Sequence, residues 1–265
     1  MAFRLIDRIA VEDEGDGPAI VCVHGLDGSS NSFTPLMPAL VRHRVIRFDL
    51  PGSGRSQAAE GPLSIERYVD AALKVCERLD VVRAHWIGHS MGTIVVQHLA
   101  AAHPPLVASV VLFGPLIAPT EAARAAMIAR AAKAREGAAA MQEIIEALLN
   151  AALSTDTRER LPVACAYVRE SLMRQSGDSY ARSCEALAGA QPAAVERIEA
   201  PVLLVTGDED AVAPPQSVRA MADRLRAARA SRVVVLSRCG HWTPIERPAE
   251  CQRELREFLA AHARS

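Results

Sequence analysis

Ser90 lies between Gly88 and Gly92 in the stretch "IGHSMGT", with one apolar run before it and another after. A serine hydroxyl is a weak nucleophile at neutral pH. It attacks a carbonyl only when a base takes its proton and an acid orients that base. Both are available further along the chain: "VTGDED" sets Asp208, Glu209 and Asp210 just beyond an apolar run, and "LSRCGHW" sets His241 just beyond the next. A serine, a carboxylate and a histidine in that order would carry acyl transfer through a covalent intermediate.

Such a serine has to be presented at a sharp turn. "AHWI" before it reads as a strand and "TIVVQHLAAA" after it as a helix, so the backbone must reverse within a few residues. Gly88 and Gly92 fit this need, because side chains two positions either side of a strained serine would clash as strand folds into helix. The helix N-terminus would also aim its dipole and free N–H groups at an anion forming on the substrate.

The elements that must hold these residues alternate along the chain. "RIAVEDEGDGPAIVCVHG" reads as two β segments around an acidic turn, the second being Ala19 to Val23. A strand from Val45 to Phe48 follows, then a helix from Ile65 to about Leu79 with Tyr68, Ala71, Ala72, Val75 and Leu79 at helical spacing. "ASVVLFG" is a further strand. Between Pro115 and Ile198 the sequence turns alanine-rich and helical, and Met141, Ile144, Ile145, Leu148, Leu149 and Ala152 form one apolar stripe expected to pack onto the main body. The alternation then resumes with a strand from Val202 to Thr206, a helix from Gln216, a strand from Arg232 to Leu236 and a last helix ending near Ala261. Strands alternating with helices predict an α/β fold, a mostly parallel central sheet with helices on both faces.

Composition narrows the function classes. Half of the 265 residues are hydrophobic and 23% are charged, which suits a folded domain with a large core. A formal net charge of -1 gives no general attraction to nucleic acid or an anionic membrane. The stretch from Ala84 to Thr120 carries no Asp, Glu, Lys or Arg, but "GHSMG", His98, His103, Pro104, Pro105 and Pro115 break it, so no membrane span is expected. The first residues lack the apolar core of a secretory signal, and a cytoplasmic location is the expectation. The six cysteines never fall as C-x-x-C, so neither a zinc knuckle nor a redox pair is read from them. Neither H-E-x-x-H nor G-x-x-x-x-G-K occurs, and no metal or cofactor is expected.

The segments "VHGLDGSS", "RFDLPGSGRS", "GHSMGT", "VTGDEDAVAPP" and "CGHWTPIERPAE" resemble the α/β-hydrolase superfamily over nearly the whole chain. That resemblance implies a core built from 1–114 and 199–265, with 115–198 as a helical lid inserted in it. Its acid falls at the last position of G-x-x-D, which makes Asp210 the orienting acid and Asp208 the reserve, with Glu209 on a solvated loop. The resemblance makes Ser90 the nucleophile and His241 the base, while His24 matches the family's structural oxyanion-loop histidine. The oxyanion hole would use the backbone N–H groups of Leu26 and Met91.

Serine at the nucleophile position, rather than aspartate, points to acyl transfer. The compact size, "HGLDGSSNSF" and the helical insertion resemble the branch of 3-oxoadipate enol-lactonases, which implies a small carboxylic ester or lactone as substrate. Arginines at 124, 130, 135, 169, 174 and 182 could clamp a substrate carboxylate. Carbon–carbon hydrolases of the meta-cleavage type and cofactor-free haloperoxidases share the same constellation. Small-molecule receptors with slow turnover form an alternative of a different class.

Overall fold

A computed structural model describes residues 2–26, 28–56 and 60–262; positions 1 and 263–265 of the expected core lie outside the described residues, as does Asp27 of "HGLDG". Strands β1 (Ala2–Ile6), β2 (Ile9–Glu14), β3 (Ala19–Val23), β4 (Arg44–Phe48), β5 (Ala84–His89), β6 (Val107–Phe113), β7 (Val202–Gly207) and β8 (Ser231–Leu236) form one sheet in the order β1-β2-β4-β3-β5-β6-β7-β8. β2 runs antiparallel to both β1 and β4, and from β4 to β8 every neighbour is parallel. The central strands β5, β6 and β7 are buried at every residue, as their continuous apolar runs require of a parallel sheet covered on both faces.

Side chains alternate between the two faces. On β3, Val21 and Val23 join Ile46 and Phe48 against helices α1 (Ile65–Arg78) and α2 (Met91–Ala102), where Tyr68, Val75, Ile94 and Val95 meet them. Ile20 and Cys22 point the other way, toward Phe33 and Leu36 of a 3-10 segment at Ser30–Ala39.

Five helices stand between β6 and β7: α3 (Glu121–Ala134), α4 (Ala138–Ala152), α5 (Thr155–Arg160), α6 (Pro162–Met173) and α7 (Gly177–Gly189). All fall inside the stretch 115–198. The apolar stripe of α4 packs mainly within this insertion and not, as expected, on the main body: Met141, Ile144, Ile145 and Leu149 share a core with Ala131, Val168, Leu172 and Tyr180. The main body contributes Trp242 and Ile245 to that core. A helix pair can bury a stripe between its own members, so periodicity fixes the buried face but not its neighbour.

After β7 come α8 (Pro215–Arg224), α9 (Thr243–Glu246) and α10 (Pro248–Ala261). α8 packs on β7 and β8, where Val218 and Met221 join the same core as the residues of α1 and α2, whereas Leu255 and Phe258 of α10 close the opposite face beside Phe33. Ser90, Asp210 and His241 all follow the carboxyl ends of parallel strands, where open α/β sheets gather their ligands. Among the described residues no helix is long and apolar enough to cross a membrane.

Candidate active site

β5 ends on His89 and α2 begins on Met91, so Ser90 alone makes the turn. Its φ of 52° lies in the left-handed region that side chains other than glycine seldom adopt. Three bonds hold it there: the Ser90 N–H donates to the Phe113 carbonyl at 3.0 Å, and the Ser90 carbonyl accepts from the Thr93 N–H at 2.8 Å and the Thr93 hydroxyl at 2.6 Å. A methyl group on Gly92 would stand 2.1 Å from the Val23 carbonyl oxygen, and one on Gly88 would stand 2.8 Å from the Gly92 oxygen. Close backbone approach, rather than a positive φ, is what demands both glycines.

The imidazole of His241 spans the gap between the other two residues. Its Nε2 lies 2.8 Å from Ser90 Oγ, and its Nδ1 lies 2.9 and 3.1 Å from the two oxygens of Asp210. Asp210 is an acceptor, so Nδ1 carries the hydrogen and Nε2 is free to accept the serine proton. The carboxylate is anchored in turn: Oδ1 accepts from the Val212 and Ala213 N–H groups at 2.8 and 2.7 Å, and the Thr206 hydroxyl donates to Oδ2 at 3.2 Å.

Burial works against the charged forms here, and the partner charge outweighs it. Burial would push the His241 imidazole down, but the Asp210 carboxylate beside it holds its pKa above the ordinary 6.5. For Asp210 burial would raise the pKa, yet the neighbouring imidazole and its hydrogen bonds keep the carboxyl below the ordinary 3.8.

The other two acids of "GDED" have structural partners. Asp208 accepts the Cys239 N–H at 3.0 Å and so fastens the segment before His241. Glu209 is exposed but accepts the Thr155 N–H at 2.8 Å, which corrects its expected place on a merely solvated loop. It joins the turn after β7 to the start of α5.

Met91 follows Ser90 directly, and Leu26 lies in the loop after β3. Met91 opens α2 without a side-chain cap, and no turn or cap hydrogen bond among the described residues takes up the N–H of either Leu26 or Met91. A methyl group on Gly25 would stand 2.7 Å from Ser90 Cβ, so the early loop lies directly against Ser90. His24 steadies that loop: its Nδ1–H donates to the Gly25 carbonyl at 2.8 Å, and its Nε2 accepts the Leu50 N–H at 2.8 Å. Fully buried, it is held neutral, its pKa lowered by burial. Asp49 accepts the Ser30 N–H at 2.7 Å and the Arg55 N–H at 2.8 Å, while Arg55 donates to the Ser30 hydroxyl at 2.7 Å. Reading single residues missed Asp49 and Arg55; "RFDLPGSGRS" was the segment that held the signal.

Four of the six arginines considered as a carboxylate clamp have other work. Arg124 donates to the Ala188 and Ala190 carbonyls, Arg135 pairs with Glu185, Arg169 pairs with Glu146, and Arg182 donates to the Gly61 carbonyl. They tie elements together rather than gather around Ser90. Among the described residues no cluster of three or more His, Cys, Asp or Glu could hold a metal ion.

A family model described as alpha/beta hydrolase fold matches residues 18–248. The chain is 24% identical over 252 residues to (E)-2-((N-methylformamido)methylene)succinate hydrolase of Acinetobacter baylyi, covering 93% of this chain and 92% of that one. It is similar to a thermophilic esterase from Thermogutta terrifontis at a TM-score of 0.88 and 25% identity, over 96% of this chain and 94% of that one. It is also similar to the enol-lactonase from Burkholderia xenovorans LB400 at a TM-score of 0.86 and 28% identity, over 98% of this chain and 100% of that one.

Proposed function

The chain belongs to the α/β-hydrolase fold family, and from that premise we propose that it is a serine hydrolase of small carboxylic esters or lactones. The observation that carries this reading is the unbroken line from Asp210 through His241 to Ser90, with both imidazole nitrogens engaged at 2.8 to 3.1 Å. Ser90 Oγ attacks the substrate carbonyl carbon while His241 Nε2 takes its proton. Asp210 holds the imidazole and offsets the charge it gains. The oxyanion forms toward the N–H groups of Leu26 and Met91. His241 then returns the proton to the departing oxygen, which stays tethered in a lactone, and the acyl group remains on Ser90. A water molecule deprotonated by His241 then attacks the acyl carbon, and His241 hands that proton to Ser90 Oγ as the acyl–serine bond breaks.

Likeness to an esterase and an enol-lactonase, each at 25% identity or more, supports an activated ester or enol-lactone as substrate, and the inserted helices would serve as its lid. The test is the steady-state rate on 3-oxoadipate enol-lactone beside a plain aryl acetate, with Ser90→Ala protein as the blank for spontaneous hydrolysis. A strong preference for the lactone is expected. Turnover of the aryl acetate alone would keep the serine hydrolase and discard the lactone, and binding without turnover of either would favour a receptor.

A further inference from the structure

The loop that carries His241 also carries a carboxylate that the reaction steps leave unused. Glu246 ends α9 and is 1% exposed. Four groups donate to it. Oε1 accepts the Trp242 N–H at 3.0 Å; Oε2 accepts the Gly240 N–H at 3.0 Å, the Ser154 N–H at 2.9 Å and the Thr157 hydroxyl at 2.8 Å. Every partner is a donor, which suits a carboxylate and compensates its removal from water.

The first two donors are the backbone groups immediately before and after His241. The other two belong to Ser154, which caps α5, and to the first turn of that helix in the inserted segment. Other bonds run along the same seam: the His241 N–H donates to the Ala152 carbonyl at 2.7 Å, the Ser154 hydroxyl to the Arg238 carbonyl at 2.7 Å, and Arg247 to Asp156 at 2.7 Å. Glu246, however, holds the chain on both sides of His241 at once, through the N–H of the Cys239–Gly240 peptide and that of the His241–Trp242 peptide.

We propose that Glu246 is the positioning residue of the histidine loop, fixing the His241 imidazole against Ser90 and tying its placement to the first turn of α5. This rests on the reading of His241 as the base. The imidazole must meet Ser90 Oγ and Asp210 at once, so a small rotation of the Gly240 or Trp242 peptide breaks alignment at both nitrogens. Misplacement of about 1 Å costs about a hundredfold in rate even when the chemical groups are intact. Charge acts in the same direction. The groups facing His241 are Asp210 from the turn after β7, His89 from the end of β5 at 5.3 Å between ring centroids, and Glu246 itself, whose negative charge favours the imidazolium. On the Glu246 side stand Cys239, Cys251 and Arg247, the last paired with Asp156.

The experiment is the rate at which a fluorophosphonate labels Ser90 in the full chain, followed by intact mass across pH, so no substrate need be known. Glu246→Gln keeps the shape but turns one acceptor into a donor facing N–H groups. Labelling is expected to slow about tenfold to a hundredfold, and the acid limb of the pH profile to move to lower pH. Thr157→Val removes one donor from the insertion side and is expected to slow labelling severalfold. Glu246→Gln protein that melts earlier yet labels at the wild-type rate, with the acid limb unmoved, makes the carboxylate merely structural and overturns the proposal. If Glu246→Gln does not fold, a wild-type labelling rate in Thr157→Val overturns it instead. His241→Ala separates the two levels: fast labelling in that variant brings down the base assignment and the proposal together, whereas slow labelling beside an unaffected Glu246→Gln brings down the proposal alone.

Discussion

Ser90 Oγ and His241 Nε2 stand 2.8 Å apart although 151 residues separate them. Such a contact forms only when the ends of β5 and the loop after β8 are brought together, and the resulting hydrogen bond points the serine proton at an unprotonated nitrogen. Ser90→Ala or His241→Ala should therefore lower kcat by about 10³-fold or more. Circular dichroism should stay near that of the parent in both, and Ser90→Ala should melt near it; His241→Ala, which leaves the buried Asp210 carboxylate without its imidazole, should melt earlier and is compared at a temperature where it is folded. Near-normal kcat in either folded variant would sink the assignment.

The acid can be tested within one tripeptide. Asp210→Asn leaves the Val212 and Ala213 bonds an acceptor but lets the amide turn a donor toward Nδ1, favouring the wrong imidazole tautomer; a loss of about 10⁴-fold in kcat is expected. Asp208→Asn disturbs only the bond to the Cys239 N–H, so its effect should show in melting temperature more than in kcat. A larger kcat loss at Asp208 than at Asp210 would reverse the assignment.

Much of this arrangement is legible in the amino-acid sequence. The runs Ala19–Val23 and Val202–Val205 are apolar without interruption and bounded by turn residues, so burial on both faces was written into them. The order of Ser90, Asp210 and His241 pointed to three side chains that the structure brings within hydrogen-bond distance, and Gly88 and Gly92 located the turn. β1 escaped the reading because four of its five residues are exposed and the last is half-buried; its strand state comes from pairing with β2, not from a buried face. The 3-10 segment at Ser30–Ala39 contains Pro35 and Pro38, which argued against a helix there. The destination of the α4 stripe and the partners of Glu209 and Glu246 depend on which loops meet in space, and no local pattern encodes that.

Gly92 offers a test of the turn that does not touch the reacting groups. A methyl group there would meet the Val23 carbonyl oxygen at 2.1 Å and the His24 oxygen at 2.5 Å, both main-chain atoms of β3 and the early loop. Neither can withdraw as a flexible side chain would. Gly92→Ala should cost about 3 kcal/mol of stability, at the upper end for overpacking. Denaturant unfolding would measure it, and a change under about 0.5 kcal/mol, the scatter of ordinary surface substitutions, would show that the turn has slack.

The pH dependence of the rate follows from the same pair of residues. In the proposed role of base His241 works only when neutral, and the Asp210 carboxylate outweighs burial to hold its pKa above 6.5. Below that pKa the imidazolium cannot accept the serine proton, so kcat/KM should rise with pH along a single acid limb whose midpoint lies above 6.5. Replacing Asp210 by Asn removes the charge that outweighs burial, and burial then pushes the imidazole down; the midpoint in Asp210→Asn should fall below the parent's even as the plateau drops. Stability carries the opposite sign. A folded pKa raised above the unfolded value means that protonating His241 favours the folded state, a contribution full below 6.5 and lost as pH rises through the folded pKa. Activity and this share of stability should therefore cross in the same pH window, one rising as the other declines. An acid limb centred below 6.5, or one unmoved in Asp210→Asn, would mean that the Asp210 charge does not govern the imidazole.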